Sequence, residues 1–161
     1  MLEPGTKQRR TGAKAQPEVE HQYLVVFVGD QRYATPLEQV REVIDAKPCL
    51  PVPNALPYVE GIVDLRGQIL SVLDLSRLIT GVPAQSPCRV TLVVELEEGM
   101  VGLNVEDLFG VVTLGQSQIM LESTQSGESR QATIGVAKIE EQLVTLIDVR
   151  GLVMRTPVLR A

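Results

Sequence analysis

The sequence predicts an all-β protein made of two similar units of about five short strands each, joined by turns and short helical segments. Three observations carry that prediction. Apolar residues make up 44% of the chain, but Val, Leu and Ile supply most of them, aromatics reach only 3% and Trp is absent. Branched side chains at that density favour strands. Apolar runs of strand length are separated by short turns containing Gly or charged residues, and the pattern of the first half starts again in the second.

The elements follow in order. Residues 1–21 are a polar leader with Pro4, Gly5, Gly12 and Pro17 and no periodicity, expected to be disordered. Tyr23 to Val28 is a continuous apolar strand, Gly29 to Arg32 a turn, and Tyr33 to Thr35 the returning strand. Thr35-Pro-Leu-Glu38 has the spacing of a capped helical turn with Pro at its first position. Arg41 to Asp45 alternates as a half-exposed strand. Pro48, Pro51, Pro53 and Pro57 then exclude helix and central strand, leaving a loop. Ile62–Leu65 and Gln68–Leu73 form a hairpin about Arg66-Gly67, and Asp74 caps a short helix to Ile79.

After a second loop come strands at 90–96 and 100–105, a helical turn near Glu106–Leu108, a strand at 111–114 and a polar loop over 115–130. Strands at 131–139 and 143–147 and a helix capped by Asp148 complete the set. The repeat can be checked by eye: residues 61–79 read GIVDLRGQILSVLDLSRLI and residues 135–153 read GVAKIEEQLVTLIDVRGLV. They align without a gap, as do Leu24-Val-Val26 on Leu92-Val-Val94 and Val40–Val43 on Leu108–Val111. The units run roughly 22–80 and 88–154, with exchange of strands between them left open, and 158–161 form a tail. Units so small bury little alone; they must pack together, leaving a groove where a partner would lie.

Charge narrows the function. The net charge is −5, but residues 1–17 carry Lys7, Arg9, Arg10 and Lys14 against Glu3, so the rest of the chain stands at −8. An acidic body with few aromatics suits neither a phosphate backbone nor stacked bases, which leaves a small nucleic-acid-binding barrel as the weaker alternative. The leader is either a solubilising segment or a contact for an anionic surface. Cys49, Cys88 and a single His21 make no disulfide framework or metal site. No cofactor motif, secretory leader or membrane span is present, so a cytoplasmic protein without direct membrane insertion is expected. Asp74 and Asp148 occupy matching repeat positions; as a pair they would suit acid–base catalysis, but capping explains both.

Gly61-Ile-Val-Asp-Leu-Arg-Gly67, followed by Ile69-Leu-Ser-Val-Leu-Asp-Leu75, resembles the signature of the CheW-like family, G-apolar-x-N-L-R-G and then an apolar stretch ending in D-L. The opening YLVVFVGDQRYATPLEQVREVI, the Pro-rich loop, VGLNVEDLFGVV and the closing IGVAKIEEQLVTLIDV keep the family order, so the resemblance spans nearly the whole of residues 22–157. It implies two packed SH3-like β-barrels without catalytic machinery. It further implies a chemotaxis adaptor that joins a methyl-accepting chemoreceptor's cytoplasmic tip to the regulatory domain of a CheA-type histidine kinase, at the inner face of receptor arrays.

Carried over by position, the partner-binding residues are Val40, Glu42, Gly61, Asp64, Leu65, Arg66 and Gly67. Asp64 stands where the family has Asn, placing a negative charge beside Arg66, and Ser71 replaces a common Pro; the first bears on partner choice. Arg66 is either a solvated turn residue or a contact, and Gly67 most simply supplies the turn's positive φ. Periodicity puts Val40 and Val43 in the core, although part of that strand must face outward.

Overall fold

The computed structural model describes residues 18–120 and 132–157. Eleven strands and two short helices occupy them: β1 Glu20–Val28, β2 Gln31–Pro36, β3 Glu42–Asp45, β4 Val59–Leu65, β5 Gln68–Asp74, α1 Leu75–Thr80, β6 Val90–Leu96, β7 Gly99–Val105, β8 Asp107–Gly115, β9 Ile119–Met120, β10 Thr133–Ile139, β11 Gln142–Ile147 and α2 Val149–Arg155. One sheet runs β8-β1-β2-β11-β10-β9 and the other β3-β6-β7-β5-β4. The expected all-β architecture of two five- or six-stranded sheets is therefore present.

The two sheets are built alike. Each has one parallel pair, β2 with β11 and β5 with β7, among antiparallel neighbours. The Leu50–Ile62 bridge beside β4 occupies the place that Met120–Val136 takes beside β10. Among the described residues the chain crosses between the sheets twice, through residues 37–41 and at Glu106. Residues 42–105 thus form one barrel-like sheet without interruption, inserted into the other, which is closed by β1–β2 and β8–β11.

Three apolar clusters explain the unbroken run in β1. Tyr23 and Val25 point into the core of their own sheet with Ala34, Leu114, Val144 and Leu146. Leu24, Val26 and Val28 point the other way, into the largest cluster, which lies between the sheets and includes Leu92, Val94, Leu103 and Val149. Val93 of β6 faces a third core with Val63, Leu65, Leu70 and Val72. A strand covered on both faces loses its alternation, so β1 and β6 read as continuous apolar segments.

Several boundaries differ from expectation. The leader was expected through residue 21, but β1 opens at Glu20 because Glu20 and His21 pair with Gly115 and Leu114; residues 1–17 lie outside the described residues. The helical turn near Glu106–Leu108 is absent: Asp107 and Leu108 pair with Phe27 and Val26, so β8 begins there as strand. Of the 115–130 loop, residues 116–118 form a 3-10 turn and β9 follows; residues 121–131 lie outside the described residues. Val43 is 38% exposed rather than core, because Glu42 and Ile44 are the residues of β3 that face inward.

Candidate partner-binding site

The β4–β5 hairpin turns through Arg66 and Gly67, both at positive φ, +50° and +87°, between the paired residues Leu65 and Gln68. That is the geometry of a type I′ turn, which matches the twist of a hairpin; Gly67 meets it without strain and Arg66 at some cost. Asp64 Oδ1 accepts a hydrogen bond from the Gly67 backbone N–H at 2.8 Å. Its carboxylate therefore braces the turn, and the guanidinium of Arg66 pairs instead with Glu42 Oε1.

The Arg66–Glu42 pair joins the hairpin beside one edge of its sheet to β3 at the other edge. It draws the two open ends of the sheet together. Arg66 stays 66% exposed at its side chain while Glu42 is 28% exposed, so the arginine keeps donors available to a partner.

The remaining predicted residues divide. Gly61 is buried at φ +147°, where an added Cβ would collide with the Leu50 carbonyl oxygen and stand 2.8 Å from Cys49 Cβ; it lets the Pro-rich loop approach the sheet. Leu65 is 3% exposed in the core under the hairpin and supports the turn from inside. Val40 is half-buried against the inter-sheet cluster. The outward group is thus Asp64, Arg66 and Gly67, with Glu42 and Val40 at its margin.

The apolar surface repeats. Ile69 and Leu143, 63% and 64% exposed, occupy matching positions of the 61–79 and 135–153 repeats. Val43 and Val111 match likewise, and Leu50 and Met120 hold the equivalent bridge positions. The two ends are not chemically equal, however. Arg41 pairs with Glu95 at 2.7 Å in one sheet, while their counterparts Phe109 and Phe27 form an edge-on aromatic pair in the other, with Arg32 4.5 Å from the Phe109 ring centroid.

Two features stand apart from the predicted residues: the expected groove between the packed units, whose walls the sequence left unnamed, and a buried carboxylate that sequence reasoning missed. A groove of about 880 Å³ lies between the β6–β7 turn, Glu95 to Glu98, and α2, where Arg150, Val153, Met154 and Thr156 line it. Met154 on that helix is 68% exposed. The second is Glu106, 9% exposed at the crossing between sheets. Its Oε1 accepts from Gly29 N–H, and its Oε2 from Gln85 and Ser86 N–H, at 2.9–3.1 Å. Nothing in the sequence marks it.

The chemistry offered is adhesive. Asp74 accepts from Ser76 and Ala84 N–H, and Asp148 from Gly151 N–H and Gln39 Nε2. Each aspartate caps its own helix, which removes the paired-carboxylate reading. Burial, reinforced by Asp74, Glu60 and Glu106, pushes the Cys88 thiol up to about 12, so it carries negligible thiolate at neutral pH. Burial also raises Cys49, with Glu60 adding to it. Among the described residues no cluster of His, Cys, Asp and Glu could hold a metal ion, and no helix is long and apolar enough to cross a membrane.

Comparison with known proteins agrees with this arrangement. A family model described as CheW-like domain matches residues 22–156. The chain is 31% identical to the chemotaxis protein CheW of Rhizobium meliloti (strain 1021) over 129 residues, covering 78% of this chain and 83% of that protein. It is 28% identical over 136 residues to the probable chemotaxis protein CheW of Rhizobium etli, covering 83% and 88%. The scaffolding protein TtCheW from Thermoanaerobacter tengcongensis shares the fold, with a TM-score of 0.73 over 85% of this chain and 89% of that one at 22% identity. From the signature hairpin to the paired sheets, this chain belongs to the CheW-like domain family.

Proposed function

We propose that this CheW-like adaptor couples the cytoplasmic tip of a methyl-accepting chemoreceptor to the regulatory domain of a CheA-type histidine kinase, in the cytoplasm at the inner face of receptor arrays. It acts by protein contact and performs no reaction of its own. The observation that carries the reading is the signature hairpin of a CheW-like domain with Arg66 held outward on it. A guanidinium there offers fork-like donors to a carboxylate or to backbone carbonyls.

Two further features support it. The groove between the β6–β7 turn and α2, with Leu96 and Met154 among its lining residues, offers an apolar strip to the helical tip of a receptor. The doubled exposed positions, Ile69 with Leu143 and Val43 with Val111, give each barrel an adhesive surface for the kinase's own CheW-like domain. Individually weak contacts of that kind act through multivalency. Val40, Glu42, Gly61, Asp64, Leu65 and Gly67 belong to the site as carriers of the Arg66 surface rather than as separate anchors. The nucleic-acid alternative gains nothing here, since the groove is rimmed by Glu95, Glu97 and Glu98.

Affinity capture from the native cell tests the reading. Recovery of a CheA-type kinase together with receptors is expected. Capture of neither would refute the assignment. Arg66→Glu should weaken one of the two associations; equal recovery of both partners would remove Arg66 from the contact surface.

A further inference from the structure

The groove and the leader have complementary chemistry. The groove is walled by Leu96, Val153 and Met154 and carries Glu95, Glu97 and Glu98 along one side. Glu95 is paired with Arg41, and Arg150 is the cation among the lining residues. Residues 1–17 hold Lys7, Arg9, Arg10 and Lys14 against Glu3, with Met1 and Leu2 at the apolar end. We propose that this basic leader docks in the groove between the β6–β7 turn and α2, and there competes with the partner helix for the same acidic, apolar-floored surface. The competition rests on the receptor reading given above; the docking does not.

The point of departure allows it. Glu18 is fastened to the 3-10 turn at 116–118, where its carboxylate accepts from the Ser117 backbone N–H and hydroxyl. The leader therefore starts from a fixed place on the body. Lys14 and Lys7 lie four and eleven residues before Glu18, so the charges can reach at most roughly 13 to 38 Å from that anchor, against a radius of gyration of roughly 15 Å for a domain of this length.

Tethering does the rest. A short covalent connection holds the leader near millimolar effective concentration, so an individually weak electrostatic contact is populated appreciably. Salt screens it, because the Debye length falls from about 10 Å at 0.1 M to 3 Å at 1 M. A helix presented by a receptor must displace the leader, and its apparent affinity is reduced by the fraction of grooves so occupied.

The test uses the full chain and a variant carrying Lys7→Gln, Arg9→Gln, Arg10→Gln and Lys14→Gln. In amide NMR spectra at low salt, Leu96, Glu97, Glu98, Met154 and Thr156 should differ between the two, while Asp64 to Gly67 hold still. High salt should move the wild-type groove signals toward those of the variant, and Glu97→Lys in the wild-type background should shift them in the same sense. Identical groove spectra for wild type and leader variant would overturn the docking. Differences that grow with protein concentration would give the groove to a neighbouring copy's leader and overturn the intramolecular contact. The leader variant should bind a receptor-tip hairpin about three-fold more tightly, a modest relief of the occupancy cost. If groove signals shift but that affinity does not change, the leader docks and the receptor reading of the groove fails.

Discussion

Arg66 and Glu42 stand at opposite edges of one five-stranded sheet, and their ion pair brings those edges together. Because Arg66 is 66% exposed at its side chain, the pair is worth little to stability, about 0–1 kcal/mol for such exposed pairs. Its value lies in aiming the guanidinium. Arg66→Glu should therefore leave the urea midpoint nearly unchanged while lowering affinity for one partner about ten-fold or more. The double exchange Glu42→Arg with Arg66→Glu rebuilds the ion pair in reverse. If that exchange restores binding measured by calorimetry, Arg66 only positions β3 and is not itself the contact.

Glu106 offers the opposite balance. One buried carboxylate accepts three backbone N–H groups, tying the β1–β2 turn to the segment after α1. Glu106→Ala leaves those donors without their acceptor and should destabilise by about 2–4 kcal/mol, since buried unsatisfied donors cost on the order of 1–3 kcal/mol each and water relieves part of it. Urea unfolding read by far-ultraviolet circular dichroism measures the loss. A change under half a kcal/mol would show that the crossing between sheets is held by packing alone.

Two glycines separate strain from crowding. Gly61 and Gly29 both have positive φ, but a Cβ at Gly61 collides with the Leu50 backbone whereas one at Gly29 meets nothing within 4 Å. Gly29→Ala should cost about 1 kcal/mol through conformation alone. Gly61→Ala should cost distinctly more, about 2–4 kcal/mol, because the Pro-rich loop must move. Equal losses in thermal unfolding would mean that the loop yields freely.

Glu60 sets a pH dependence. Burial raises its carboxyl above the ordinary value of 4.5, with Asp74 adding to the shift and Arg77 and the Asn104 hydrogen bond opposing it. A carboxylate with a raised folded-state pKa binds its proton more readily in the native state, so it lowers stability once pH exceeds that pKa and ceases to do so below 4.5. Glu60→Gln, which keeps the Asn104 contact, should raise the melting temperature at pH 7. The advantage should shrink steadily as pH falls toward 4. An advantage independent of pH would trace to packing instead of charge.

Much of the fold was legible because hydrophobic patterning reports burial. Tyr23–Val28 and Val90–Leu96 read as strands, and the repeat of 61–79 in 135–153 announced two like units. The same property caused the error in β3: Val43 is apolar but outward, and Glu42 is charged but inward, because an edge strand can turn a carboxylate toward an arginine on the far side of the sheet. No local pattern encodes that arginine, which is distant in sequence. The helical turn inferred near Leu108 failed for a similar reason. The polar pair Glu106-Asp107 looked like a break, yet Glu106 is a buried crossing and Asp107 already pairs with Phe27. The signature hairpin was readable by resemblance and a groove between the units was expected, but its walls were not legible, since they come from the β6–β7 turn and α2, which only tertiary packing juxtaposes.

The insertion of residues 42–105 between β2 and β8 also sets an order of assembly during synthesis. The inner barrel has all its strands once Val105 has left the ribosome, including the long-range pairing of Glu42 with Val93. The hairpin made first must wait, with Tyr33 finding its neighbour Thr145 only at the end of translation. Until then the Tyr23 and Val25 face of that strand lacks its cover from Val144 and Leu146, leaving the kind of apolar surface that cells guard from aggregation. The face that waits longest is thus the one that the last hairpin finally buries.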